Sequence, residues 1–233
     1  MSDKARIYRH METELRHRTE GDSAVIEGYG AKFNSYSQNL GGFVEEIMPG
    51  AFAASIAEKA DSDKSDVRAT YNHDDILGRQ KDGTLKVAED KVGLHFEIQL
   101  NLRISTDRDL FEKIDIGRIN GASFGFAMLD WEWSHTDQDF PLLRQKAVEL
   151  FDVGPVDFPA YLDTDTDTRD MLYRSYAEQA RCDDVGCFVD RAAEAYADTR
   201  KFDLSKLVDV EAEPVAATPL LDALRENVDA LAR

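Results

Sequence analysis

The sequence predicts a mainly β fold of the α+β class, with two helices between strands and a helical segment near the C-terminal end. Three observations support this. Residues 83–100 alternate between apolar and polar side chains, which is typical of half-buried strands. Segments 49–60 and 105–119 instead place their apolar residues on one helical face. After Tyr161 the alternation stops, and Ala, Glu and Arg become frequent.

The predicted strands follow one another through the middle of the chain. The run 24–33 contains Gly28 and Gly30, which are expected at bulges or bends. Runs 83–90 and 92–100 are separated by a single residue and predict a hairpin. Further strand-like runs are 121–129, 131–135 and 147–156.

This pattern predicts three regions. Residues 1–22 are expected to form a polar N-terminal arm, residues 23–162 the main domain, and residues 163–233 an acidic linker with a helical C-terminal extension. Within the extension, the Pro/Ala-rich segment 211–219 leads to an amphipathic helix. The apolar face of that helix consists of Leu220, Leu221, Leu224, Val228 and Leu231.

Composition excludes several classes of function. A formal net charge of −18 argues against binding to nucleic acid or to a membrane surface, since both need a basic face. Cys182 and Cys187 are the only cysteines and are predicted to be free thiols rather than zinc ligands. The acidic run 163–170 resembles the start of a calcium loop, but Thr168 and Arg174 stand where Gly and Glu are needed. No metal or cofactor is expected.

Residues 121–125 fit the pattern G-x-S-x-G, which raises the question of whether Ser123 is a nucleophile. In an α/β-hydrolase a helix follows this serine directly, whereas here aromatic residues alternate as in a strand. His135 is the only histidine after the serine, and it lies in a loop-like segment. An unrelated hydrolase of that type is therefore disfavoured. Ser123 in a strand can still react if a base reaches it from another strand, although small residues here could also simply permit close packing.

The remaining histidines differ in their sequence context. His10 and His17 lie in the polar arm, and His95 lies on the surface of a predicted sheet. His73 stands between a strand-like run and a turn that contains glycine. This context distinguishes His73 from the other histidines, but a histidine near a turn is usually just solvated, so the context alone does not assign a base.

Six motifs occur in order over residues 28–161: GYGAKFN, EEIMPGAF, YNHD followed by LGR, DGTLKVAEDKVGLHFEIQL, INGASFGF and LFDVGPVDFPAY. Together they resemble the prohead proteases of tailed bacteriophages, the serine peptidases that mature the capsid. This resemblance implies a β-barrel with flanking helices, similar to the herpesvirus assembly protease.

The resemblance also implies catalytic roles. His73 would be the general base and Ser123 the nucleophile, and an acidic or imidazole group would orient His73. Where the family usually has an orienting Glu this chain has Asp152, and Gly154 replaces the usual Ser two residues later. Strict alternation would send Asp152 and Glu149 to opposite faces, so Asp152 is favoured and Glu149 is the alternative. Backbone amides near Gly154 are one candidate for the oxyanion hole.

The function implied is that of a serine endopeptidase in the host cytoplasm, inside the assembling prohead. It would cleave the scaffold or a delta-like domain of the major capsid protein, and then itself. The alternative is a catalytically inactive scaffold or assembly protein that keeps the same barrel for binding.

Overall fold

The computed structural model describes residues 6–40 and 42–157, together with Leu172 and Ser175. Within these residues, ten strands and two helices follow one another along the chain. They are β1 (Ile7–Glu12), β2 (Arg16–Glu20), β3 (Ser23–Lys32), β4 (Val44–Ile47), α1 (Ala53–Asp61), β5 (Arg68–Tyr71), β6 (Asp75–Arg79), β7 (Leu85–Glu89), β8 (Gly93–Asn101), α2 (Ser105–Asp115), β9 (Gly121–His135) and β10 (Pro141–Val156).

The strands form two sheets. The first sheet has the order β1-β9-β10-β5-β6, and β4 pairs with β10 as well. It is mixed, because β10 runs antiparallel to β9 and parallel to β4 and β5. The second sheet is antiparallel in the order β2-β3-β8-β7. The prediction of a mainly β protein with two inserted helices is therefore confirmed for the described residues.

The barrel implied by the family resemblance is not closed within the described residues. The first sheet ends at β1 and β6, and the second ends at β2 and β7. The main hydrophobic core joins the two sheets and includes side chains from both. From the first sheet come Phe124, Phe126 and Leu150, and from the second come Ile26, Phe96 and Ile98.

The segment predicted as a polar N-terminal arm contains two strands instead. β1 pairs with β9 in the first sheet, and β2 pairs with β3 in the second. The prediction underestimated this segment because its apolar residues are few. β2 forms a hairpin with the next strand, β3, whereas β1 pairs with a strand far along the chain. The arm therefore contributes to both sheets of the main domain.

The hairpin predicted at 83–100 is present as β7 and β8. A register shift between Tyr29 and Ala31 marks an irregularity at Gly30, as the glycine pattern predicted. The segments predicted as helices correspond to α1 and α2. The acidic linker, both cysteines and the last amphipathic helix lie outside the described residues.

Two described residues of the C-terminal third contact the body of the protein. Leu172 is fully buried in a second hydrophobic cluster with Phe43, Trp133 and Leu143. The indole Nε1 of Trp133 donates a hydrogen bond of 2.8 Å to the hydroxyl of Ser175. Leu172 and Ser175 therefore both contact the body of the protein.

Candidate active site

Ser123 lies in β9, between β1 and β10, and the strand register defines its neighbours. His10 of β1 is directly opposite Ser123. Two residues further along β9, Gly125 has Tyr8 on one side and Asp152 on the other. Side chains in register share one face of a sheet. Ser123, His10, Tyr8 and Asp152 therefore lie on the same face, opposite the one that contributes to the core.

A β-bulge in β10 turns Asp152 toward this face. Leu150 pairs with Phe126 on the core side, and the next pair in register is Asp152 with Gly125. β10 thus contains one more residue than β9 at this point. Without the bulge, Asp152 would follow Leu150 onto the core face, because alternate residues share a face. Bulges near active sites commonly redirect a side chain in this way.

Because of this bulge, the prediction that Asp152 and Glu149 lie on opposite faces is wrong. Glu149 pairs with Ala127, which lies on the same face of β9 as Gly125. The two acids therefore share a face but have different partners. The Glu149 carboxylate is 3.7 Å from Lys59 Nζ, whereas Asp152 contacts His73. Of the two candidates, only Asp152 reaches the histidine.

His73 is presented by the three-residue loop between β5 and β6. The Asp74 N–H donates a 3.1 Å hydrogen bond to the Tyr71 carbonyl. Asn72 and His73 both have a left-handed backbone, with φ of 53° and 62°. A left-handed residue other than glycine costs about 1–3 kcal/mol, and such residues concentrate at functional sites. The position of His73 thus depends on contacts that hold this loop.

His73 connects the serine and the acid. Its Nδ1 is 2.5 Å from Asp152 Oδ1, and its Nε2 is 2.5 Å from Ser123 Oγ. The hydroxyl of Thr70 donates a second hydrogen bond, of 3.2 Å, to the same Asp152 oxygen. All three residues suggested by the motifs therefore meet in one continuous line of contacts.

The Ser123 hydroxyl has a second acceptor. Its Oγ lies 3.0 Å from the backbone carbonyl of Arg9, and Ser123 is fully buried. A hydroxyl has one proton, so it can donate either to this carbonyl or to His73 Nε2. Only the second arrangement prepares the oxygen for nucleophilic attack, because the imidazole then receives the proton.

Two aromatic residues of β1 surround His73. The ring of Tyr8 lies 4.1 Å from the imidazole centroid, and the ring of His10 lies 5.6 Å away in an edge-on orientation. Sequence analysis missed both, because it assigned this segment to an arm outside the domain. Residues 7–12 show no clear alternation of apolar and polar side chains, because the charged Arg9 lies on the buried side with Ile7.

Gly154, where the family usually has Ser, lies between two strands. It is in register with Ser123 on one side. On the other side, a Cβ at this position would come within 2.0 Å of the Thr70 carbonyl oxygen. In this chain the position therefore accommodates only glycine. Backbone N–H groups in a central strand point toward the neighbouring strands, so the amide of Gly154 is a poor candidate for the oxyanion hole.

We predict that Gly125→Ala impairs the site without unfolding the protein. A Cβ at Gly125 would lie 2.6 Å from Asp152 Oδ2 and 2.9 Å from Tyr8 Cε1, so both side chains must move. A displacement on the order of 1 Å can cost roughly 100-fold in rate. The rate at which Ser123 reacts with a fluorophosphonate reagent measures this effect.

Gly121→Ala is the matched control in the same strand, because its Cβ would approach Val156 no closer than 3.3 Å. If Gly125→Ala reacts as fast as Gly121→Ala, the glycine does not make room for Asp152.

Among the described residues, no cluster of three or more His, Cys, Asp or Glu side chains could hold a metal ion. In the same part of the chain, no helix is both long and apolar enough to cross a membrane.

A serine, an imidazole and a carboxylate in a line of hydrogen bonds form the arrangement that serine proteases use on several unrelated folds. The comparison with protein families leads to the same class. The chain belongs to the family described as Caudovirus prohead serine protease, which matches residues 11–179, more than half of its length. The family resemblance seen in the sequence is thereby confirmed.

One solved structure similar to this chain is that of the bacteriophage T4 capsid assembly protease, gp21. The similarity covers 66% of this chain and 98% of that chain, at 9% sequence identity and a TM-score of 0.42. A search of the curated proteins gives no significant match.

Proposed function

We propose that the protein is a serine endopeptidase of phage head maturation, with Ser123 as nucleophile, His73 as general base and Asp152 as the acid that orients His73. The observation that carries this proposal is the continuous contact from Ser123 Oγ through both ring nitrogens of His73 to Asp152 Oδ1. Family membership supports the same reaction class.

The geometry supports a two-step hydrolysis. Ser123 Oγ attacks the carbonyl carbon of the scissile peptide bond while its proton passes to His73 Nε2. His73 then gives this proton to the leaving amine, and an acyl-enzyme remains on Ser123. A water molecule, activated by the same nitrogen, hydrolyses the ester and restores the serine. Throughout these steps Asp152 holds the Nδ1–H tautomer and stabilises the imidazolium.

The proposed substrates are the scaffold or a delta-like domain of the major capsid protein, followed by the protease itself. The proposed location is the assembling prohead in the host cytoplasm. Family membership supports a role in capsid maturation, and the strongly acidic composition gives no support for a nucleic-acid partner.

Coexpression with the major capsid protein from the same genome tests this function. Intact-mass spectrometry should find defined capsid-protein fragments with the wild-type chain and none with Ser123→Ala. A folded wild-type chain that leaves both the capsid protein and the scaffold uncut would favour the inactive assembly protein instead.

We also propose that the C-terminal extension recruits the protease to the scaffold through the apolar positions Leu220, Leu224, Val228 and Leu231, and is then removed by self-cleavage. Because Leu172 is buried against the body of the protein, the extension can be removed without loss of core contacts only after Leu172. A cut at Asp170 would remove Leu172 from its contacts with Phe43 and Trp133.

We therefore expect a chain that ends at Asp170 to be less stable than one that ends at Ala180, by about 2–4 kcal/mol, which is typical for loss of a buried leucine. Chemical denaturation of the two chains measures the difference. The Ala180 chain should still react with a fluorophosphonate but should fail to enter proheads. Equal stability of the two chains would show that Leu172 contributes little to the core.

A further inference from the structure

A second group of contacts joins the loop that carries His73 to the end of β10. The Tyr71 hydroxyl donates a short hydrogen bond to Asp157 Oδ1. Asn72 Nδ2 donates to the other carboxylate oxygen, Oδ2, at 3.1 Å. In return, the Asp157 N–H donates to Asn72 Oδ1 at 3.0 Å. The Asn72 N–H completes the group with a 3.2 Å bond to the Pro155 carbonyl.

These four hydrogen bonds act on the two residues that directly precede His73. Asn72 is one of the two successive left-handed residues of the loop, a conformation that needs support from its surroundings. Asn also tolerates this conformation better than most residues. The side chain of Asn72 therefore both permits the backbone conformation and attaches it to Asp157.

The attachment is made to the strand that also carries Asp152. Asp152, which contacts His73 Nδ1, lies in β10 four residues before its end. Asp157, which bonds to the loop, directly follows the last residue of this strand. Both the orienting carboxylate and the support of the loop thus belong to one short segment. Because the loop is bonded to the same end of β10 that carries Asp152, the imidazole and Asp152 are restricted from moving relative to each other.

The protonation states of the cluster suit this role. Burial and, to a smaller extent, its hydrogen bond to Asp157 raise the pKa of Tyr71 to about 12. The hydrogen bond from Tyr71 holds the pKa of the Asp157 carboxyl below its ordinary value. Tyr71 therefore remains a donor and Asp157 an acceptor of two hydrogen bonds at neutral pH. Lys113, whose Nζ lies 5.6 Å from the centre of the Tyr71 ring, also lowers the pKa of Asp157 by its positive charge.

We propose that Asp157 is a positioning residue of the active site, whose carboxylate and backbone N–H hold the Tyr71–Asn72 segment so that His73 meets both Asp152 and Ser123. This inference rests on the proposed function. Asp157 itself does not touch the reacting atoms, and it acts through Asn72 and Tyr71.

Asp157→Asn is the main test. An amide has a single acceptor oxygen, so either the Asn72 NH2 group loses its acceptor or the Tyr71 hydroxyl must reverse and accept from the new NH2 group. The readout is the reaction of Ser123 with a fluorophosphonate, resolved into reagent affinity and maximal rate of phosphonylation. We expect the maximal rate to fall roughly 10- to 100-fold, with affinity unchanged, because misplacement of the base affects the chemical step.

Asp82→Asn is the matched control. Asp82 also accepts two hydrogen bonds within a turn, from the backbone N–H and the hydroxyl of Thr84, but its turn lies between β6 and β7. Its substitution should leave the phosphonylation rate within about 2-fold of wild type, as is usual for surface changes away from a site. If Asp82→Asn slowed phosphonylation as much as Asp157→Asn does, the effect would come from a general loss of stability, and the proposal would be overturned.

Asn72→Gly separates the two contributions of Asn72. Glycine keeps the left-handed backbone accessible and removes both side-chain bonds to Asp157. If the attachment matters, Asn72→Gly slows phosphonylation as Asp157→Asn does, and the double variant is no slower than either single one. In both variants the NMR signal of the His73 Nδ1 proton should weaken or shift, since the contact with Asp152 is no longer held.

The proposal is overturned if Asp157→Asn and Asn72→Gly both react at the wild-type rate with an unchanged His73 signal. Should Asp157→Asn fail to fold, Asn72→Gly and Tyr71→Phe decide the matter by the same measurements. A wild-type chain that is not labelled, or a Ser123→Ala chain that still is, instead contradicts the proposed function, and with it any role of Asp157 in positioning the base.

Discussion

Ser123→Ala and His73→Ala are each expected to abolish proteolysis of a coexpressed capsid protein, with a loss on the order of 10⁶-fold in rate. The double variant should lose no more than either single variant, because a nucleophile and its base act as one unit. The 2.5 Å contact between His73 Nε2 and Ser123 Oγ is the physical reason. Without the imidazole the hydroxyl keeps its proton, and without the hydroxyl the imidazole has nothing to activate.

The measurement is the rate of appearance of fragments by mass spectrometry, together with thermal unfolding to show that the variants are folded. His95→Gln serves as the control. His95 lies in β8 of the other sheet, with its ring against Tyr29, and has no contact with the site. Normal processing by His73→Ala or Ser123→Ala would refute the assignment.

Asp152→Asn is expected to reduce the rate by about 10⁴-fold, the size of effect seen when the orienting carboxylate of a triad is replaced by an amide. The NH2 group of asparagine can donate to Nδ1 of His73. The ring would then carry its proton on Nε2, where it can no longer accept from Ser123.

Glu149→Gln is the matched control for this prediction, because it makes the same change in the same strand. Its carboxylate is near Lys59, a largely buried cation whose pKa is lowered by burial and raised in part by Glu149. The expected result is a modest loss of stability and a rate within a few-fold of wild type. If Glu149→Gln were the more damaging of the two, Glu149 rather than Asp152 would be the orienting acid.

The sequence predicted the parts of the fold that show strong local patterns. The β7–β8 hairpin alternates clearly over its whole length, and α1 and α2 each have an apolar face. β1 and β2 were missed because their charged side chains interrupt the alternation of apolar and polar residues. Pairing with β9 and β3 stabilises these two strands. The closed barrel came from the family resemblance, and the described strands pair as two sheets instead.

The candidate site was predictable to a different degree. His73, Ser123 and Asp152 came from motifs, and the structure brings them together. The bulge between Leu150 and Asp152 could not be read from alternation, because one extra residue in a strand leaves no local signature in side-chain chemistry. Tyr8 and Asp157 were not predicted as site residues for another reason. Each contacts the His73 loop from a distant part of the chain, and a single sequence contains no information on such proximity.

The place of β10 in the chain has a consequence for when activity can begin. β10 is the last strand of the described fold, yet it lies in the interior of the first sheet and pairs with β9, β4 and β5. While β10 is still inside the ribosome, Asp152 is not available to His73. The β5–β6 loop then also lacks its hydrogen bonds to the end of β10. Synthesis therefore delivers the proposed nucleophile and base first, and the acid proposed to align them last. Under the proposed function, an unfinished chain is not yet able to cut its neighbours.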